Sequence, residues 1–324
     1  SNQLFRLILK NKFFLLIFFI IFLICNSYYY IDYKKKKQVV PKDTYYLLEK
    51  NTNQKNILKQ LQLNDIFIQY VDWRIISLIS NDIFIPKAGE YLIPKNSSIQ
   101  DIQNIFQNEK TITRNFKLVE GTTSKNLKKS LLENPYLSGE IKFLKEGIYK
   151  PDTYYFKYGY SRNKLLERMK LAQDKILENV WKNKPKNFIL KNKKDFLILA
   201  SIVQSETSDL NDSRLVASVF INRLENNMKL QSDVTLAYGF SVNGQKITKN
   251  MLKSDNPFNT YFYKGLPPTP ISYPGENALN SLRYLKKTNY FYFVSDGKGG
   301  HRFSQTYSLH RKNIKLWKDY INKE

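Results

Sequence analysis

A chain of 324 residues is long enough for about two domains, and 52 Lys plus Arg against 28 Asp plus Glu give it a net charge of +24. The cations are spread along the chain among abundant Asn, Ile, Tyr and Phe, which argues against a nucleic-acid partner and for a general attraction to anionic surfaces such as a membrane or an acidic polymer. One Cys excludes an intramolecular disulfide, and two His with one Cys leave little material for a zinc site, so neither metal nor other cofactor is expected.

Residues Phe13 to Ile31 begin with thirteen unbroken apolar residues, and only Asn26 and Ser27 are polar in the whole stretch. As a helix it spans about 28 Å, close to the hydrocarbon thickness of a bilayer, so residues 13–31 read as one transmembrane helix with Tyr28 to Tyr30 as an interfacial belt. No small-x-small site follows the apolar core, which argues against a cleaved signal peptide. Leu23 and Ile24 make Cys25 a poor lipoprotein site. Arg6, Lys10 and Lys12 on one side and Lys34 to Lys37 on the other leave the orientation open. Residues 1–12 then form a short N-terminal segment, and residues 32–43 a basic linker.

A weak internal repeat follows. Leu48 to Leu61, Ile93 to Phe106 and Leu118 to Leu131 align without gaps, each with a turn reaching Thr52, Ser97 or Thr122 and then paired apolar positions: Ile57 and Leu61, Ile102 and Phe106, Leu127 and Leu131. The pattern predicts strand, tight turn and N-capped amphipathic helix, with Ser98 and Asp101 forming a capping box. Units this small should pack together or against a larger sheet. They resemble the LysM module, whose turn has the form V-x-x-G-D-T, although Gly121 alone supplies the glycine and no copy has the Asp.

KEGIYKPDTYYF (Lys145 to Phe156) is a β-rich aromatic segment punctuated by Gly147 and Pro151. A helix is predicted from Ser161 to about Val180, and a lysine-rich loop then leads into an apolar helical run from Phe196 to Val203. Glu206 falls on the stripe of Leu199, Ile202 and Val203, where a carboxyl group loses hydration and can hold a proton near neutral pH, as a general acid must. The alternative is a structural ion pair with Arg214 or Arg223. Asp212 or Ser213 is expected to cap a second helix carrying Leu215, Val216, Val219, Phe220 and Leu224.

Leu230 to Gly239, Asn256 to Gly275 and Tyr290 to His310 lack helical period and read as ordered loops plus a hairpin turning at DGKGG, lining a groove whose aromatic and amide groups suit a sugar chain. His301 and His310 flank that hairpin as structural hydrogen-bonding residues.

Four segments taken together, EGIYKPDTYYF, ASIVQSET with VASVFINRL and LQSDVTLAYG, FNTY with GLPPTPISYPG, and YFYFVSDGKGGHRFSQTYSLH, resemble the YceG-like endolytic murein transglycosylases of bacteria over residues 44 to 320. The resemblance implies an α+β chain: a cytoplasmic N-terminus, the single membrane helix, a LysM-like strand-turn-helix subdomain at 44–113, and a catalytic domain at 114–324 on the cell-wall side, with a helix-borne catalytic Glu at Glu206. A second family Glu is replaced here by Gln204, the usual Pro after Asp233 by Val234, and the Glu that commonly precedes Arg214 by Ser213. The implied reaction cleaves the β-1,4 bond between N-acetylmuramic acid and N-acetylglucosamine within a glycan strand and leaves a 1,6-anhydro end. Peptidoglycan strands would be the substrate and peptidoglycan synthases candidate partners. Gln231, Asp233, Asn259 and Tyr261 are expected to position the substrate, or else to brace loops. Two rivals remain: a hydrolytic muramidase with Asp233 as second carboxylate, and a non-catalytic wall-binding protein using the LysM-like units alone.

Overall fold

The computed structural model describes residues 2–80, 84–108, 110–142, 144–242 and 247–322, with side chains from Lys12 onward. Ser1, Asn81 to Ile83 and Glu109 of the predicted N-terminal segments, and Phe143 and Asn243 to Lys246 of the predicted catalytic segment, lie outside the described residues. The chain is a mixture of helices and short strands in two compact units, Ser1–Arg114 and Asn115–Glu324.

The first unit begins with a single helix, α1 (Asn2–Lys36), whose residues from Lys12 onward are long and apolar enough to cross a membrane and are not buried by the rest of the protein. The helix runs through the first part of the expected basic linker, because three lysines at its C-terminus complement the helix dipole and Lys36 pairs with Asp32 one turn back. The remainder of the linker is packed rather than loose: Gln38 bridges to Ser98, and Val40 is buried. Next come β1 (Thr44–Leu48), α2 (Gln54–Gln62), α3 (Tyr70–Ile79), β2 (Gly89–Ile93) and α4 (Ile99–Gln107). β1 and β2 pair antiparallel with Tyr46 opposite Tyr91, and α2, α3 and α4 close over one face. The core joins Ile57, Leu61, Trp73, Ile102 and Phe106 to those tyrosines, with Tyr46 and Tyr91 both against the Phe106 ring. The helix α3, absent from the sequence reading, is recruited by Trp73 and Ile76.

Two of the three repeat copies form this unit, with Asn53 and Ser98 as N-caps one residue beyond the aligned positions and Ser98 completing a capping box with Asp101. The third copy belongs to the second unit. Its strand β3 (Thr113–Lys117) pairs with β5 (Thr153–Lys157), and its helix α5 (Ser124–Glu133), capped by Thr123, buries Leu127 and Leu131 against Phe116, Tyr154 and Phe156. The apolar partners of this third copy thus lie largely in the aromatic KEGIYKPDTYYF segment.

Within the second unit, β4 (Leu137–Ser138) and β6 (Tyr160–Ser161) make a short parallel pair, and α6 (Arg162–Lys182) follows where a helix from Ser161 is predicted, with Ser161 as its N-cap. At the centre lies α7 (Lys193–Glu206), in which every residue from Phe196 to Gln204 is buried. A helix apolar on all sides must be enclosed, and α6, α8 (Leu210–Glu225) and α11 (Glu276–Arg283) enclose it. The cap of α8 is Asp209, whose carboxylate accepts from the Asp212 amide, so the helix starts earlier than the expected Asp212 or Ser213 cap. The segment Leu230 to Gly239, read as loop, holds α9 (Asp233–Gly239), and α10 (Lys249–Leu252) lies between the segments read as loops; both are too short to show a period. The predicted hairpin is β7 (Tyr292–Ser295) paired antiparallel with β8 (His301–Ser304), and α12 (Tyr307–Ile321) ends the chain.

Candidate active site

Glu206 is the last residue of α7, where the enclosed helix reaches the surface. The backbone leaves the helix at once, since Thr207 is extended and only its N–H bonds back to Val203. Glu206 therefore stands at the rim of the core, a partly buried residue. Its Oε1 accepts a 2.6 Å hydrogen bond from the Ser232 hydroxyl, and among the described residues neither Arg214 nor Arg223 pairs with it. Arg223 instead spends its guanidinium on the carbonyls of Lys229, Leu230 and Phe291 and on the Gln231 side chain, and Arg214 lies over the Tyr284 ring. Crowding of the Glu206 carboxyl dominates its chemistry. Loss of hydration raises its pKa from 4.5 to about 6, the Ser232 hydroxyl opposes that rise, the nearby Asp233 charge adds to it, and His301 opposes it.

Ser232 occupies the N-cap position of α9 but caps nothing there; its hydroxyl is turned toward Glu206. It is held by a buried hydroxyl cluster. The Ser232 N–H donates to Thr260 Oγ1, Thr235 Oγ1 donates to the Ser232 carbonyl, and Thr235 and Thr260 share a 2.9 Å bond. The Gln231 N–H donates to the Thr260 carbonyl, with Gln231 itself in the left-handed region at φ 48°. LQSD and FNTY, some 28 residues apart, thus form one wall beside Glu206.

The four predicted positioning residues divide by environment. Asp233 is exposed at the start of α9, and its Oδ1 accepts a 2.6 Å bond from the Tyr261 hydroxyl, so these two face the open side together. Burial and Asp233 push the Tyr261 phenol well above its ordinary value. Gln231 is exposed, with Oε1 accepting from Arg223. Asn259 is fully buried: its amide donates to the carbonyls of Met251, Leu252 and Ser254, and its Oδ1 accepts from the Tyr261 and Phe262 amides.

Other walls were not legible as such. Ser201 and Ser205 on α7 hold the GLPPTPISYPG segment through the Ile271 amide and the Ser272 hydroxyl, and Gln204 accepts from the Gly275 N–H. Gln204 thus does a neutral structural task two residues before Glu206. Asp212, in the first turn of α8, meets His301 Nδ1 at 2.7 Å and fastens the hairpin beside the site. Asn222 and Ser218 of α8 secure the approach to β7. His310 stacks on Tyr292 with its imidazole driven toward the neutral form by burial. At the far end of α9, a cleft of about 290 Å³ is lined by Thr123, Ser124, Glu146, Tyr238 and Phe258. There Glu146 accepts from the Ser124 amide and hydroxyl and from Tyr238, and burial raises its pKa despite those bonds. Small hydroxyls and a lone Glu in a turn carry no periodic signal, which is why Ser232 and Glu146 escaped sequence reasoning. Among the described residues no group of three or more His, Cys, Asp or Glu could hold a metal ion.

A model of the YceG-like family matches residues 46–316. A protein of Bacillus subtilis named endolytic murein transglycosylase is 30% identical over 60% of this chain and 55% of its own length. A namesake from Streptococcus pneumoniae is 28% identical over 84% of this chain and 50% of its own length. The chain therefore spans about half the length of the curated relatives it matches. A crystal structure of a yceG-like protein from Listeria monocytogenes shares the fold with a TM-score of 0.53, at 24% identity, over 84% of this chain and 99% of that one.

Proposed function

This chain belongs to the YceG-like family, and from that premise we propose that it is an endolytic lytic transglycosylase of peptidoglycan, with Glu206 as its single acid and base. The observation that carries the reading is the state of Glu206: a carboxyl at the end of a buried helix, bonded to a neutral hydroxyl rather than a cation, with a pKa near 6. The names of the Bacillus and Streptococcus relatives support it.

Protonated Glu206 donates to the glycosidic oxygen as the bond from muramyl C1 breaks and positive charge spreads over C1 and the ring oxygen. The muramyl C6 hydroxyl then attacks C1, its proton returns to the Glu206 carboxylate, and the 1,6-anhydro ring closes. Bonds and protons balance without water. Ser232 serves the ionised state, since its hydroxyl donates to the Glu206 carboxylate. Asp233, Tyr261 and Gln231, on the open side, are assigned to the sugar; Asn259 is assigned to holding the loop that presents Tyr261. The LysM-like copies at 44–113, the catalytic assignment of 114–324, and a single-pass anchor with the N-terminus in the cytoplasm and the enzyme facing the wall complete the reading, and peptidoglycan synthases are its candidate partners.

The nearness of Asp233 to Glu206 favours one second reading, a hydrolytic muramidase with Asp233 directing water. Digestion of purified peptidoglycan decides. The proposed enzyme releases anhydromuramyl ends and Glu206→Gln releases none; reducing muramyl ends, with Asp233→Asn as inactive as Glu206→Gln, would replace it with the hydrolase. Retained cleavage by Glu206→Gln would remove Glu206 from the mechanism.

A further inference from the structure

The helix α3 is apolar on both sides. Asp72, Trp73 and Ile76 face the core of the first unit, yet the outer face carries Val71 at 62% exposure and Leu78 at 71%, two turns apart, with Tyr70 and Ile79 beside them. Phe67, just before the helix, is 67% exposed. Arg74 is the only charge on that face. A helix washed by water on its outer side would carry several.

The position of α3 explains the pattern. Asp72 is fastened to α1 by Lys34 at 2.7 Å and by the Tyr30 hydroxyl at 3.3 Å, with Lys34 also over the Tyr30 ring. The apolar stretch of α1 ends at Ile31, so Lys34 stands only about 4.5 Å along the axis beyond it. Val71, adjacent to Asp72, is thereby held at the level where the span leaves the hydrocarbon, and an amphipathic helix at that level sinks about 5–10 Å into the boundary. The surround is basic: Lys37 and Arg74 are exposed, Lys55 lies over Tyr70, and the acids nearby are each paired with a lysine, Asp72 with Lys34, Asp32 with Lys36 and Asp65 with Lys42.

We infer that the outer face of α3, with Phe67, lies in the lipid surface from which α1 emerges, its basic surround against anionic headgroups. The unit is then seated on the bilayer at two places instead of hanging from a single helix. This rests on α1 remaining as an anchor, and the test separates the two.

Cys25 is the sole cysteine of the 324 residues, so this chain carries one fluorescent label there, and Cys25→Ser backgrounds with Val71→Cys or Leu78→Cys carry it on α3. Both α3 sites are exposed, so the exchanges leave the core intact. The proteins are reconstituted into vesicles of phosphatidylcholine and phosphatidylglycerol. A quencher attached high on the acyl chains should remove about half of the signal at 71 and at 78, and iodide in the water little of it. A deep label at Cys25 with iodide-quenched labels on α3 overturns the inference and leaves the anchor standing. Labels on α3 that neither quencher reaches also overturn it, since a protein partner then covers the face. A Cys25 label open to iodide removes the anchor and the inference together.

Discussion

Replacing Ser232 by Ala changes one contact of Glu206 and no other side-chain bond. Ser232 is 2% exposed, and its hydroxyl donates at 2.6 Å to Glu206 Oε1. A hydrogen bond to a charged group contributes about 1.5–3 kcal/mol, and one pKa unit corresponds to about 1.4 kcal/mol, so its loss should raise the Glu206 pKa by about 1–2 units. A general acid must be protonated, so wild-type activity should fall as pH rises through about 6. In Ser232→Ala that alkaline limb should move to about pH 7 or above. The assay is the initial rate of anhydromuropeptide release from purified peptidoglycan across pH 5 to 9, normalised within each protein. A limb that stays in place, or moves to lower pH, would refute both the role of Ser232 and the placement of the proton on Glu206.

The same raised pKa carries a stability consequence. Folding favours the protonated form of Glu206, so its contribution is complete below pH 4.5 and is lost as pH rises through about 6, a difference of about 2 kcal/mol. Glu206→Gln, which keeps an oxygen for Ser232, should therefore be inactive yet up to about 2 kcal/mol more stable than wild type at pH 8 and equal to it at pH 4; urea unfolding at the two pH values checks this. Asn259→Ala should cost about 3 kcal/mol or more, because it strands the Leu252 and Ser254 carbonyls and the Tyr261 amide that now share one buried side chain, and urea melts should show that loss along with lower activity.

The elements that a single period describes were readable in the sequence. The capping box at Ser98 and Asp101, the helix opening after Ser161, the hairpin around DGKGG and the apolar run ending at Glu206 all appear where local pattern places them. The short helices α9 and α10 did not, since seven and four residues cannot display a 3.6-residue stripe. The third repeat copy was legible as a unit but not in its partners, because its Leu127 and Leu131 are covered by aromatic residues that no repeat contains. Around Glu206, the charge out of place on an apolar stripe was visible, whereas Ser232 was one hydroxyl among many until LQSD and FNTY came together through Thr235 and Thr260. Asn259 and Tyr261, neighbours in sequence, differ because one amide is consumed inside the loop and one phenol is aimed out of it.

The central claim is that one carboxyl moves a single proton out and back and that no water enters. Digestion of peptidoglycan by the full chain in heavy-oxygen water tests it most directly, with mass spectrometry of the released ends. The account predicts muramyl ends one water lighter than reducing ends and free of the heavy isotope, and none from Glu206→Gln. Reducing ends carrying the heavy oxygen at C1 would contradict it.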